Sequence, residues 1–238
     1  MINTDKIGDI SYSDHMEKIC EKDRISEYLN DRSYMNWFPD LSDNYVYLIK
    51  TKPSEKLINQ GDEADTLYYL VKGRCRVSST DQEGKTFILN IINAPNLVGE
   101  IELITEDVSF SVETIDSCIL IALPYAHYRD LLLKDSTFLL RLCELLTEKE
   151  REHALKLAQV SSFPLENRLA AFILENSFDD RISLKKTIIA QSLGVSYRHL
   201  EKVMKDFVEE GILKKDRFIY TIVKKIALID KASVLDLF

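Results

Sequence analysis

The spacing of apolar and polar positions changes character along the chain. From Tyr45 to Leu123 there are short runs rich in β-branched and aromatic residues: YVYLI (45–49), LYYLV (67–71), RCRVSS (74–79), TFILNII (86–92), SFSVETI (109–115) and CILIAL (118–123). Turn-forming sequences separate them, at GDEAD (61–65), Lys72-Gly73, DQEGK (81–85) and NAPN (93–96). Many short strands with tight turns predict an antiparallel sandwich or barrel of the jelly-roll type, a fold able to hold a small molecule. Pro124 then opens a helical region reaching about Ser161. A short helix, PYAHYRDLLL, stops near Lys134, and Asp135 or Ser136 caps a long one. The stripe Leu139, Leu142, Leu146, His153, Leu157 and Val160, interrupted by TEKERE, asks for a partner helix, with packing on its own barrel as the alternative.

Before the barrel, residues 1–44 are polar and rich in charge. Ile19, Ile25, Tyr28 and Leu29 predict a loosely amphipathic helix between Ser13 and Asn30, and Pro39 ends any helix after Trp37 and Phe38. After the long helix, Leu165, Leu169, Phe172 and Ile173 mark another amphipathic helix. TIIAQSLGVSYRHLEKVM (187–204) then reads as two short helices pinched around Gly194, whose freedom at positive φ ends the first sharply. Ile188, Ile189 and Leu193 face inward on the first helix, with Ala190 small for close approach. Val195 points inward, Ser196 caps the second helix, and Leu200, Val203 and Phe207 form its buried face. Tyr197, Arg198, His199, Glu201 and Lys202 are left outward in the first turns, the part of a helix-turn-helix that enters the major groove. Gly211 closes that helix, and ILKKDRFIYTIV predicts a two-stranded wing turning at Lys214–Arg217, followed by a helix from about Lys224. The expected architecture is α+β: an N-terminal helical extension (1–44), an antiparallel β-barrel sensor (45–134), a dimerisation helix (135–161) and a winged helix-turn-helix domain (162–238).

A net charge of −8 over 238 residues would oppose DNA binding if it were evenly spread. It is not: residues 163–238 hold 13 Lys+Arg against 11 Asp+Glu, leaving 18 against 28 for residues 1–162, nets of +2 and −10. Affinity for phosphates depends on the local cationic face rather than on the sum. No apolar run approaches the roughly 18 residues of a membrane span. MINTDKIGDI lacks a basic region followed by an apolar one, so no signal peptide is expected. Cys20, Cys75, Cys118 and Cys143 are scattered without a CxxC pair, which suits reduced thiols in the cytoplasm and argues against a zinc or iron–sulfur site. None of His15, His127, His153 and His199 lies in residues 45–123, so a cupin-type metal enzyme lacks its ligands. No nucleophile–base arrangement, phosphate loop or paired acid suggests catalysis, and no metal or cofactor is expected.

LINQGDEADTLYYLVKGRCRV (57–77), EGKTFILNIINAPNLVGEIEL (83–103) and the 187–213 block resemble the Crp/Fnr family of bacterial transcription regulators over about residues 45–223. NRLAAFIL (167–174) and LGVSYRHL (193–200) look closest to a subgroup implicated in survival during nitrogen starvation. The resemblance implies a cyclic-nucleotide-binding-like barrel, a dimerising helix and a winged helix. It also implies homodimers on a palindromic site that recruit or block RNA polymerase. By it, Tyr197, Arg198 and Lys202 take the base-reading positions, while Ser196 and His199 touch backbone oxygens. Because Tyr197-Arg198 stands where the catabolite activator has Arg-Glu, the operator should differ.

The sensor departs from the family. Gly99-Glu100 matches the start of the phosphate-binding cassette, but the place of the phosphate-neutralising Arg holds Phe110, followed by Ser111. A phosphate buried beside an aromatic ring without a cation costs several kcal/mol, on the order of a lost ion pair. The Thr-Ser pair that meets adenine across the dimer aligns with His153-Ala154. Cyclic AMP is therefore not the expected effector, and Gly99 and Glu100 are read as a turn and a structural carboxylate. A different small ligand, or none, is the default. An oxygen sensor would need an N-terminal cysteine cluster, where Cys20 stands alone; a haem would need an axial ligand, for which His153 is the nearest candidate. Cys118 and Cys143 could approach each other as a thiol switch, buried free cysteine being the alternative. The competing function is a regulatory barrel whose C-terminal domain contacts protein rather than DNA.

Overall fold

Alternate side chains of the central strands serve two different cores. In the computed structural model, which describes residues 17–19, 38, 45–105, 107–217 and 219–235, strands β2 (Tyr47–Lys50), β4 (Thr66–Lys72) and β9 (Ile119–Pro124) lie side by side. Leu48, Leu67, Tyr69, Ile121 and Leu123 pack outward against helices, while Tyr47, Ile49, Tyr68, Leu70, Leu120 and Ala122 point into the barrel. Burial on both faces explains why these strands read as continuous apolar runs rather than an alternation. The chain divides into two compact units between Leu146 and Thr147.

In the first unit a five-stranded sheet runs β1-β2-β9-β4-β7, with β1 at Glu17–Ile19 and β7 at Asn96–Val98. A four-stranded sheet runs β3-β8-β5-β6, from Lys56–Ile58, Ser111–Thr114, Arg74–Thr80 and Thr86–Asn93, all pairings being antiparallel. The six runs seen in the sequence each fall on a strand. The predicted N-terminal helix needs correction where it is described: Glu17–Ile19 is a strand paired antiparallel with Leu48–Lys50, where it satisfies the open backbone edge of β2. The rest of Ser13–Asn30, with Cys20 and His15, lies outside the described residues.

Helix α1 (Glu102–Thr105) is a single turn, α2 spans Tyr125–Lys134 and α3 spans Ser136–Ser162. Asp135 is the residue that caps α3, its Oδ1 accepting from the Phe138 amide at 2.7 Å. The start of α3 drives Phe138 into the outer core, where its ring stacks on Phe38 at 5.9 Å with Tyr128 and Leu132 of α2 nearby. Leu142, expected to face a partner helix, is instead only 1% exposed in this same core, and Leu139 and Leu146 lean on it. The first half of the predicted stripe thus serves its own barrel. Leu157, by contrast, is 74% exposed.

The second unit is built on α4 (Leu165–Asn176), α5 (Lys186–Ser192), α6 (Tyr197–Glu209) and α7 (Lys225–Ser233), with a sheet ordered β10-β12-β11. Strands β11 (Leu213–Asp216) and β12 (Ile219–Ile222) make the expected hairpin, and β10 (Arg181–Ile182) adds a third strand that its two residues were too few to signal. Leu169, Ile173, Ile189, Leu200, Phe207 and Leu228 are buried in this unit.

Candidate nucleic-acid interface and effector cradle

The junction between α5 and α6 follows from local chemistry. Gly194 sits at φ +65°, so the chain leaves α5 through a left-handed residue that any Cβ would strain. The Val195 amide donates to Ala190 O at 3.0 Å, and the Gly194 amide to Gln191 O at 3.2 Å. Arg168 of α4, which the sequence did not single out, donates from Nη1 to Leu193 O at 2.8 Å and so satisfies a carbonyl at the end of α5. Ser196 then caps α6, its hydroxyl oxygen accepting from the His199 amide at 3.2 Å while its O–H stays a donor.

Leu200, Met204 and Phe207 bury one face of α6, with Met204 taking the place expected of the half-buried Val203. Ser196, Tyr197, Arg198, His199 and Lys202 are all exposed, gathered in the first two turns. The far end is fixed too. Lys224 donates to Glu210 O at 2.6 Å, and Lys231 reaches Glu210 at 3.3 Å and Glu166 at 3.5 Å. Beside α6 the hairpin leaves Lys214 and Lys215 of β11, and Arg217 after it, exposed. The arrangement is a helix pinned at both ends, presenting one polar, mostly cationic surface.

In the barrel, Gly99 has φ +93°, and a Cβ there would meet Thr66 O at 2.9 Å. The Tyr125 hydroxyl donates to Gly99 O at 2.5 Å. Burial, together with the carboxylates of Glu102 and Glu100, pushes the Tyr125 pKa well above its usual value, so it stays a donor. Glu100 is itself only 4% exposed. Ile58 ties this turn to the opposite sheet: its Cδ1 is 3.6 Å from where a Gly99 Cβ would stand, and it pairs with Val112, two residues after the half-buried Phe110. Ser111 is already engaged, its Oγ accepting from the Gln60 amide at 2.9 Å. The arginines of the neighbouring strand each donate twice to a single carboxylate: Arg74 to Asp116 at 2.6 and 3.0 Å, Arg76 to Glu113 at 2.9 and 2.8 Å. Ile49, Leu70, Ile92 and Val112 belong to an apolar cluster inside the barrel.

Cys118 does not lie with Cys143 as a thiol pair: it shares the barrel core with Cys75, its Sγ donating to Asp116 O at 3.4 Å and Arg74 O at 3.5 Å, and the neighbouring thiol together with burial raises the Cys75 pKa above the usual thiol value. Both are buried in the barrel core, whereas Cys143 is exposed on α3. Cys75 lies on β5 and Cys118 just before β9, in different sheets, so their approach across the barrel is non-local and spacing alone does not reveal it. His153 is exposed on the second half of α3. Among the described residues no cluster of three or more His, Cys, Asp or Glu could hold a metal ion, and no helix is long and apolar enough to cross a membrane.

A jelly-roll barrel followed by a long helix and a winged helix-turn-helix is the plan of a transcriptional regulator with a sensor domain. Residues 48–135 match the cyclic nucleotide-binding domain family. The chain is 42% identical over 167 residues to regulatory protein YeiL of Escherichia coli O157:H7, covering 70% of this chain and 76% of that protein. It is 25% identical over 190 residues to the cAMP-activated global transcriptional regulator CRP of Salmonella typhimurium strain LT2, covering 75% and 89%. A CRP/FNR-family regulator of Thermus thermophilus shares the fold with a TM-score of 0.68 at 19% identity, over 78% of this chain and 98% of that one. The chain belongs to the CRP/FNR family of transcriptional regulators.

Proposed function

We propose that this regulator is a homodimer that reads a palindromic DNA site through α6 and does not take cyclic AMP in its barrel. The supporting observation is the two-faced α6: Leu200, Met204 and Phe207 are buried, while Tyr197, Arg198, His199 and Lys202 stand exposed beside the cationic hairpin. Arg198 offers two donors to a guanine, and Tyr197 packs on a thymine methyl or bonds a phosphate. Lys202 reaches a further base, and Ser196 and His199 touch backbone oxygens. Residues 45–134 act as the sensor, 135–161 as the dimer helix and 162–238 as the DNA-binding domain, with RNA polymerase as the downstream partner. Selecting duplexes from a random pool with the full chain tests this. A two-fold symmetric consensus is expected, and a pool that stays random would favour protein contact as the role of the C-terminal domain.

The effector reading rests on Phe110 at the cation's place, on Arg74 and Arg76 committed to carboxylates, and on the apolar cluster inside the barrel. Cyclic AMP at millimolar concentration should leave both the melting temperature and the DNA affinity unchanged; micromolar binding in a calorimeter would overturn this. For the dimer, the exposed Leu157 and Val160 on the second half of α3 replace the buried Leu142 as the proposed seam, with His153 beside it. Leu157→Lys should sediment as a monomer, because a charge in an apolar helix seam is desolvated without a partner. A variant that remains dimeric would put the interface elsewhere.

A further inference from the structure

Lys186, the first residue of α5, reaches three side chains on two other elements. Its ammonium lies 2.8 Å from Glu201 Oε1 on α6, 5.8 Å from the ring centre of Tyr197 on the same helix, and 6.0 Å from that of Tyr220 on β12. The Lys186 side chain is 18% exposed and that of Glu201 52%. Tyr220 stands opposite Lys215 in the hairpin, so this one cation links both helices of the helix-turn-helix to the wing. Burial works against its charge, but Glu201 and the Tyr220 hydroxyl outweigh that cost and its pKa is raised, so the ammonium persists at neutral pH.

Glu201 is the feature that calls for such a partner. It follows Tyr197 by four residues and Arg198 by three, so it shares their side of α6. An uncompensated carboxylate there would repel the phosphates that Arg198 must pass to reach a base edge. The Lys186 ammonium cancels that charge, and the Tyr197 ring rests within cation–π range of the same nitrogen.

We propose that Lys186 is a positioning residue for DNA readout: it neutralises Glu201 and fixes the direction in which Tyr197 leaves the helix, rather than binding a phosphate itself. This rests on α6 being the DNA-facing helix. The test uses the full-length protein and the duplex it selects, comparing the wild type with Lys186→Met, Lys186→Arg, Glu201→Gln and the Lys186→Met/Glu201→Gln double variant. Affinity is measured by fluorescence anisotropy at several salt concentrations, and on duplexes changed one base pair at a time. Lys186→Met should bind about tenfold more weakly and lose about threefold of its discrimination at the base pair facing Tyr197. The double variant should recover affinity, since no bare carboxylate remains, yet keep the relaxed preference. Lys186→Arg should restore both.

Glu201→Gln keeps the question decidable if Lys186→Met does not fold, because it should relax the same base preference without weakening binding. Two results would overturn the proposal. One is a double variant as weak as Lys186→Met, with the salt slope reduced by about one ion and preference unchanged, which marks a direct phosphate contact. The other is a Lys186→Met protein that binds and discriminates like the wild type. If the wild type itself selects no duplex, it is the assignment of α6 to DNA that has failed, before any variant is compared.

Discussion

Arg198→Ala is expected to cost about 1–3 kcal/mol on the preferred duplex and to erase the preference at one base pair of each half-site. The side chain is exposed in the second helical position after the Ser196 cap, so its removal leaves no cavity and melting should be unchanged. Binding titrations on duplexes substituted at each position check this. An equal loss on every sequence, with a lower salt slope, would make Arg198 a phosphate contact instead.

Phe138→Ala should have the largest effect on stability, about 3–5 kcal/mol, by opening a cavity that its neighbours cannot fill. The ring is fully buried, stacks on Phe38 at 5.9 Å, and sits where α2, the start of α3 and the outer face of the barrel sheet meet. Urea unfolding followed by far-ultraviolet circular dichroism gives the difference. A cost below about 1 kcal/mol would mean that the outer core repacks freely around α3. The result bears on function because the same helix carries Leu157 and His153 further along.

What was legible in the sequence was what depends on near neighbours. Gly194, the Ser196 cap and the spacing of Leu200 and Phe207 are local determinants, and the helix-turn-helix formed where they placed it. The six longer strands announced themselves by β-branched and aromatic runs. Strands β3, β7 and β10 have three, three and two residues, too short for any period to show. The stripe on α3 was visible, but its partner was not. Spacing alone cannot say whether Leu142 faces a second chain or its own barrel, and the outer face of β4 and β9 decided the matter. The same holds for the connections that no spacing reveals: Lys186 to Glu201 across 15 residues, Arg168 to Leu193 across 25, and Cys75 to Cys118 across the barrel. In the cradle, Gly99 and the buried Glu100 were read from the sequence, whereas Tyr125, which bonds Gly99, was not.

The most direct test of DNA reading by α6 is methylation interference on the selected duplex, with the wild type and Arg198→Ala side by side. Methylated guanine N7 should block the wild type at two symmetry-related positions, with half-sites about one helical turn, some 34–36 Å, or a multiple of it apart, and the Arg198→Ala protein should lose that pattern. Interference at no guanine, or a pattern that Arg198→Ala leaves intact, would contradict it.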